Sequence, residues 1–182
     1  MKKQIVKLSL SAMFIAIGLV LPFLTGQIRQ IGNMLLPMHF PVFLCGMICS
    51  WQYGAAVGII LPILRSLIFG MPPLFPTATA MAFELCAYGL VVGFVYGLFK
   101  KKNLVAIYVS LFSAMICGRA IWGIVQTILL SSTENPFSFT AFIAGAFTNA
   151  VPGIIAQLVL IPAIVFALEK TGAFKKLELR TR

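Results

Sequence analysis

One carboxylate lies within a long apolar run of the sequence. The run TAMAFELCAYGLVVGFVYGLFKKK occupies residues 79–102, and Glu84 is its one acidic residue. An ionised carboxylate at the centre of a bilayer costs about 2.5–3.5 kcal/mol on insertion scales, so such a residue requires a partner or a task. Tyr88 follows four residues later and therefore shares the helical face of Glu84. A carboxylate beside a phenol could hold an ion pair, bind a ligand or transfer a proton.

Two arginines also lie inside apolar runs. Arg65 is predicted in the half of the third run that faces outward, and Arg119 in the outward half of the fifth. Trp122 and Gln126 follow Arg119 at +3 and +7, so they belong to the same helical stripe. These side chains are predicted to share one layer with Glu84, between the membrane midplane and the outside.

Amides and one histidine complete this layer. Asn149 and Gln157 are the deepest amides of the last apolar run, and His39 lies in LPMHFP at the outer start of the second. His39 could cap a helix, line a pocket or sense pH. The candidate substrate-binding residues are Glu84, Arg65, Arg119, Trp122, Tyr88, Gln126, Asn149 and His39.

Two interpretations of this layer compete. In the structural one, Glu84 pairs with Arg65 or Arg119, and the amides satisfy broken backbone. In the ligand-binding one, a single glutamate cannot neutralise two arginines, and the surplus cation indicates an anionic or strongly hydrogen-bonding ligand. Trp122 and Tyr88 would then offer faces for a flat ring, or they pack between helices.

The sequence lacks the motifs of the common catalytic sites. There is no GxxxxGK[ST] phosphate loop, no Ser/His/Asp set and no cluster of metal ligands, since Cys45, Cys49, Cys86 and Cys117 lie in apolar runs without a nearby histidine. No catalytic residue, cofactor or metal site is therefore predicted, and ATP would be used by partner subunits. The alternatives are an intramembrane enzyme with Glu84 as acid or base, and an ion-coupled carrier or channel that works alone.

Composition identifies the chain as an integral membrane protein. Of 182 residues, 60% are hydrophobic and 10% charged, whereas a soluble domain has about a quarter charged residues. The net charge of +10 is carried mainly by three clusters: Lys2, Lys3 and Lys7; Lys100–Lys102; and Lys170, Lys175, Lys176, Arg180 and Arg182. The positive-inside rule places these clusters in the cytoplasm, where they contact anionic lipid. Basic residues interleaved with aromatics on a folded face are not seen, so nucleic-acid binding is not predicted.

The number of predicted spans agrees with the distribution of the basic residues. Apolar runs predict a single all-α domain, 1–182, with six transmembrane helices at about 5–26, 35–50, 53–70, 77–99, 104–131 and 140–168. With an even number of spans, both termini lie on one side, and a cytoplasmic N-terminus puts every basic cluster inside. The first run is predicted as a retained span, because no small-residue cleavage site follows it.

Taken together, these features resemble the substrate-binding S components of energy-coupling factor (ECF) vitamin transporters. The resemblance covers essentially the whole chain and rests on six spans in under 200 residues, on Ala12 and Ala16 in SLSAMFIAIG, and above all on residues 35–89, LLPMHFPVFLCGMICSWQYGAAVGIILPILRSLIFGMPPLFPTATAMAFELCAYG. Ala12 and Ala16 form a small-xxx-small face that lets another helix approach closely.

The resemblance implies a role and partners. An S component binds a vitamin under its outer loops in the bacterial cytoplasmic membrane. It docks through its small-residue face, here Ala12 and Ala16, on a transmembrane T component that sits on two ATPases. The region LRSLIFGMPPLFPTATAMAFEL is most similar to members for pyridoxine or hydroxymethylpyrimidine precursors, with pantothenate carriers second. A flat heteroaromatic suits Glu84, Trp122 and Tyr88, whereas a carboxylate such as pantothenate suits the surplus arginine.

Overall fold

The described part of the chain is all-helical. A computed structural model describes residues 2–25, 34–131 and 138–172, and these ranges contain helices and turns but no strand. The C-terminal basic residues Lys175, Lys176, Arg180 and Arg182, and the predicted end of the first span at residue 26, lie outside the described residues. The helices are α1 Lys2–Val20, α2 His39–Cys49, α3 Trp51–Phe69, α4 Thr79–Leu98, α5 Leu104–Leu130, α6 Phe139–Ile143 and α7 Val151–Lys170.

Short irregular segments extend three of these helices. A 3₁₀ turn, Leu21–Thr25, continues α1, and a kinked segment, Leu74–Ala78, in which the backbone of Phe75 is extended, leads into α4. A π-helical turn, Ala144–Thr148, follows α6 and ends in the turn before α7. The segment predicted as one span at 140–168 is therefore two helices joined by a break, and Pro152 falls in the first turn of α7, where its missing N–H has no helical partner to lose.

Five helical segments are long and apolar enough to cross a bilayer. They are Lys3–Leu24, Trp51–Phe69, Leu74–Leu98, Leu104–Leu130 and Phe139–Lys170. The remaining predicted span corresponds to α2, whose 11 residues extend only about 16 Å, roughly half of a hydrocarbon core. The chain is thus a multi-pass membrane protein, while the sixth crossing and the cytoplasmic position of both termini stay predictions.

Glycines bring three of the helices into backbone contact. A Cβ added to Gly89 of α4 would lie 2.2 Å from the carbonyl carbon and oxygen of Gly54 in α3. One added to Gly58 would lie 2.3 Å from the Leu85 carbonyl oxygen, and one added to Gly46 of α2 would lie 2.6 Å from the carbonyl oxygen of Gly89. Without side chains at these positions, α2, α3 and α4 pack at backbone distance, as small residues allow in membranes.

Contacts near the helix ends define the two ends of the bundle. Lys7 of α1 lies 5.9 Å from the ring centre of Tyr53 in α3, and the Tyr96 hydroxyl of α4 donates to Glu169 of α7 at 2.8 Å. We call this the basic end, because Lys100–Lys102 follow α4 there. At the opposite, distal end, Phe23 and Phe69 meet edge to face with centroids 5.0 Å apart.

The outward faces of the helices are apolar. Leu24, Leu67 and Ile116 are 80%, 68% and 71% exposed, whereas Phe43, Leu61 and Leu85 are fully buried. Large apolar side chains at this exposure have no favourable place in water, but they match the acyl chains of a bilayer. The polar side chains of Glu84, Arg119 and His39 lie inside this apolar shell.

Candidate functional site

Glu84 is the acceptor at the centre of a buried polar cluster. Its Oε1 accepts a hydrogen bond from the Tyr88 hydroxyl at 3.0 Å and one from Nη1 of Arg119 at 2.8 Å. Glu84 and Tyr88 are 2% exposed and Arg119 is 7% exposed. The predicted i,i+4 pairing on α4 is therefore present, and α5 supplies the cation. Glu84 lies five residues, about 8 Å, from the distal start of α4.

His39, the first residue of α2, completes this cluster. Its Nε2 lies 3.7 Å from Oε1 of Glu84, which is too long for a hydrogen bond, and its ring centre lies 5.3 Å from that of Tyr88. The side chain is 2% exposed, yet neither ring nitrogen has a protein partner within hydrogen-bonding distance. Buried polar groups normally have such a partner, so His39 is an exception that needs an explanation.

The Tyr88 ring is held by residues that the sequence did not single out. Phe43 of α2 lies 4.9 Å from it, centroid to centroid, and Gly118 of α5 lies beneath it. A Cβ on Gly118 would lie 2.2 Å from Cε1 and 2.4 Å from Cδ1 of that ring. Gly118 directly precedes Arg119, and this adjacency is the signal that could have identified it.

We expect Gly118→Ala to displace Tyr88 and so disturb the acceptor that Arg119 binds. The ring is packed against Phe43 on one side, so it cannot move away freely, and overpacking of this kind costs about 1–3 kcal/mol. The measurement is the thermal midpoint of the purified protein in detergent, compared with Tyr88→Phe, which keeps the ring and removes only the hydroxyl. If Gly118→Ala is as stable as the wild type, the tight placement of the ring is wrong.

Arg65 does not join this cluster, contrary to the prediction that it would share a site with Glu84. Its Nη1 donates to the Leu19 carbonyl of α1, and its guanidinium carbon lies 5.2 Å from the ring centres of both Phe23 and Phe69. Gly58 of α3 packs against Leu85, the neighbour of Glu84 in α4. Arg65 lies seven residues after Gly58, so it is about 10 Å nearer the distal end than this contact. The arginine that Glu84 does not neutralise is therefore Arg65, and its partners outside the cluster are a carbonyl and two aromatic rings.

Trp122 lies one turn from Arg119 towards the distal end. It stacks on Phe142 of α6 with centroids 6.1 Å apart, and it packs over Gly145, where a Cβ would lie 2.7 Å from its ring. The indole thus joins α5 to the segment that precedes α7. This contact favours packing for Trp122, one of the two roles that the sequence left open.

The three amides have different surroundings. Asn149, which the sequence places in the sixth span, is exposed in the turn before α7, where the helix is interrupted. Gln126 of α5 and Gln157 of α7 are 8% and 2% exposed, and no protein group satisfies Oε1 of Gln126 or Nε2 of Gln157. Gln157, noted in the sequence but not included in the candidate set, is therefore a further candidate.

The cluster has the chemistry of a binding site. Among the described residues, no group of three or more His, Cys, Asp or Glu side chains could hold a metal ion. The Glu84–Arg119 pair and Tyr88 satisfy one another, while His39, Gln126 and Gln157 keep unused hydrogen-bonding atoms. Buried polar atoms without a hydrogen-bond partner destabilise the ligand-free protein, and they are suited to bind a polar ligand.

Comparison with known proteins gives one match. The family model described as "ECF transporter, substrate-specific component" matches residues 6–171. Neither a curated protein nor a solved structure matches the chain. The matched range includes every helix from α2 to α7 and most of α1.

Proposed function

Because the chain belongs to the family of substrate-specific components of ECF transporters, we propose that its cargo is a vitamin with a flat heteroaromatic ring, of the pyridoxine or hydroxymethylpyrimidine type. Members of the family are transport subunits that bind substrate, not enzymes, and they work in a complex with T and ATPase components. The role in a transport complex is thus given by the family, and the vitamin is the proposal.

The observation that carries this proposal is the cluster around Glu84. A carboxylate, a guanidinium, a phenol and an imidazole meet in the distal half of an otherwise apolar bundle. Such residues are rare within membrane segments and mark binding sites and pathways by default. We place the ligand beside Glu84, Arg119, Tyr88 and His39, within reach of Gln126.

Pantothenate is the second candidate, and the structure weakens its support. A carboxylate ligand suits an arginine that no glutamate neutralises, but Arg119 pairs with Glu84, and Arg65 lies outside that cluster, bound to the Leu19 carbonyl. We also propose that the chain crosses the bacterial cytoplasmic membrane six times, contacts its lipids and has both termini in the cytoplasm. We propose further that it has no cofactor of its own and that ATP is used by the partner subunits alone.

Mass spectrometry of the small molecule retained by the purified chain tests this function. A heteroaromatic vitamin at one per chain would support the proposal, and pantothenate would support the second candidate. If the chain alone transports solute across liposome membranes, without T and ATPase subunits, the ion-coupled carrier is the correct alternative. If it retains no small molecule and binds no vitamin, the proposed function is wrong.

For docking on the T component we propose the face of α1 that carries Ala12 and Ala16. Both side chains are exposed, so a partner helix can reach them. We expect Ala16→Trp to reduce recovery of the complex by more than tenfold in a pull-down with co-expressed T and ATPase subunits, while ligand binding by the isolated chain is unchanged. Ile124→Trp, on the exposed face of α5, is the control. Equal loss of complex in both variants would contradict the assignment.

A further inference from the structure

We infer that the cargo of this site carries no net charge and is recognised by His39, Gln126 and Gln157. Glu84 and Arg119 neutralise each other and, with Tyr88, form the structural support of the site. This inference rests on the proposed function and narrows its substrate class. It also adds Gln157, which lay outside the candidate set, to the residues that contact ligand.

The first step concerns charge. Among the described residues, the buried side chains with permanent charge are Arg65, Glu84 and Arg119. Glu84 and Arg119 cancel each other at 2.8 Å, and Arg65 is bound between Phe23, Phe69 and the Leu19 carbonyl. A carboxylate or phosphate that entered this layer would meet no cation without a bonded partner among the described residues, and an unpaired buried charge is strongly unfavourable.

The second step concerns the unsatisfied atoms. His39, Gln126 and Gln157 are each more than nine-tenths buried, and each has at least one polar side-chain atom without a protein partner. A neutral imidazole offers one donor and one acceptor, Oε1 of Gln126 accepts, and Nε2 of Gln157 donates. Together they match a small molecule with hydroxyl donors and ring-nitrogen or hydroxyl acceptors.

The third step places these atoms on neighbouring elements. The helix α7 packs against both α2 and α5, which carry His39 and Gln126. A Cβ on Gly153 of α7 would lie 2.6 Å from the Met34 carbonyl oxygen. Gln157 lies one turn beyond Gly153 on the same buried stripe. His39 is the first residue of α2, four positions after Leu35, so α7 packs beside the segment that leads to His39.

Pairs of probes that differ in net charge test this inference. We expect the purified full-length chain to bind pyridoxine at least tenfold more tightly than pyridoxine 5′-phosphate, or panthenol at least tenfold more tightly than pantothenate, by calorimetry in detergent. Tighter binding of pyridoxine 5′-phosphate than of pyridoxine would overturn the inference but leave a heteroaromatic cargo intact, whereas tighter binding of pantothenate than of panthenol would overturn the inference and support the second candidate. If no probe binds, the retained molecule decides: an uncharged one supports the inference and a net-charged one overturns it. Absence of any ligand overturns both.

Two variants test the recognition residues. Gln126→Met and Gln157→Met remove an unsatisfied amide and keep an unbranched side chain. We expect each to weaken binding of the preferred probe at least tenfold while the thermal midpoint of the ligand-free protein stays equal or rises, because a buried unsatisfied group is lost. Gln4→Met, on the exposed face of α1, is the control. Unchanged affinity in both variants would overturn the assignment of the amides.

A change in preference from uncharged to anionic ligands provides an independent test that the cargo carries no net charge. Glu84→Gln leaves Arg119 without its carboxylate, so the site then has a surplus cation. We expect this variant to shift the affinity ratio towards the anionic member of the pair by at least tenfold. An unchanged ratio in folded Glu84→Gln protein would overturn the inference. If the variant does not fold, the wild-type ratio decides the outcome.

Discussion

Glu84→Gln is expected to weaken binding of the retained ligand by more than tenfold and to lower the thermal midpoint of the protein. The carboxylate is 2% exposed and accepts hydrogen bonds from both Arg119 and Tyr88. An amide can replace one hydrogen bond but not the charge, and breaking a buried ion pair by removing one partner costs about 3–5 kcal/mol. Arg119→Ala should have an effect of the same order, because it leaves the carboxylate buried alone.

The double variant Glu84→Gln with Arg119→Met distinguishes charge from shape. Removing both charges should restore much of the stability that either single variant loses, since no unpaired ion remains. Ligand affinity should stay low, because the support of the site is changed. Thermal midpoints and calorimetric affinities of the wild type, Glu84→Gln, Arg119→Met and the double variant make up this cycle. Additive losses of stability would show that Glu84 and Arg119 are not coupled.

Glu169→Gln is the matched control for the single variant. Glu169 also accepts a hydrogen bond from a tyrosine, Tyr96, at 2.8 Å, but it lies at the basic end and is only partly buried. Solvent screens a partly buried carboxylate, so its charge contributes less to stability than that of a fully buried ion pair. We expect a small change in midpoint and unchanged ligand affinity. A loss of affinity equal to that of Glu84→Gln would contradict a local role for Glu84.

The second large effect is expected for Gly89→Ala. Its Cβ would lie 2.2 Å from backbone atoms of Gly54 and 2.8 Å from the amide nitrogen of Ala55. A backbone cannot rotate away as a flexible side chain can, so α3 and α4 must separate along their contact. Overpacking typically costs about 1–3 kcal/mol and more where the surroundings are rigid. We expect a lower thermal midpoint and reduced yield of folded protein.

Gly97→Ala on the same helix is the control. A Cβ on Gly97 would have no neighbour within 4 Å, and alanine is a better helix former by about 1 kcal/mol. This variant should be as stable as the wild type or more so. Equal destabilisation at both positions would show that helix propensity, and not close approach of α3 and α4, determines the effect.

Local spacing allowed part of the site to be predicted from the sequence. Glu84 and Tyr88 are four residues apart on one helix, so their contact follows from helix geometry. The selection of Arg119 as a partner of Glu84, from two candidate arginines, depended on which helices pack together, and spacing carries no information about that. For the same reason spacing could not identify the partner of Arg65, a carbonyl of α1.

Other residues carried too weak a signal. Gly118 positions the Tyr88 ring by having no side chain, and one glycine among 15 has no distinguishing pattern in the sequence. Asn149 was predicted to be deep because the apolar run around it is continuous, whereas the chain makes a turn there. Hydropathy does not reveal this break, and its signal in the sequence is Pro152, two residues after the turn.

The sequence by itself determined that this chain is a multi-pass helical membrane protein, that its basic residues cluster at helix ends, and that a few charged residues lie where lipid does not tolerate them. These properties depend on composition and on positions along one helix, which the bilayer constrains directly. The tertiary structure decided which charges neutralise each other and which amides stay unsatisfied. Those outcomes depend on distances of a few ångströms between helices far apart in sequence, and close glycine packing fixes these distances.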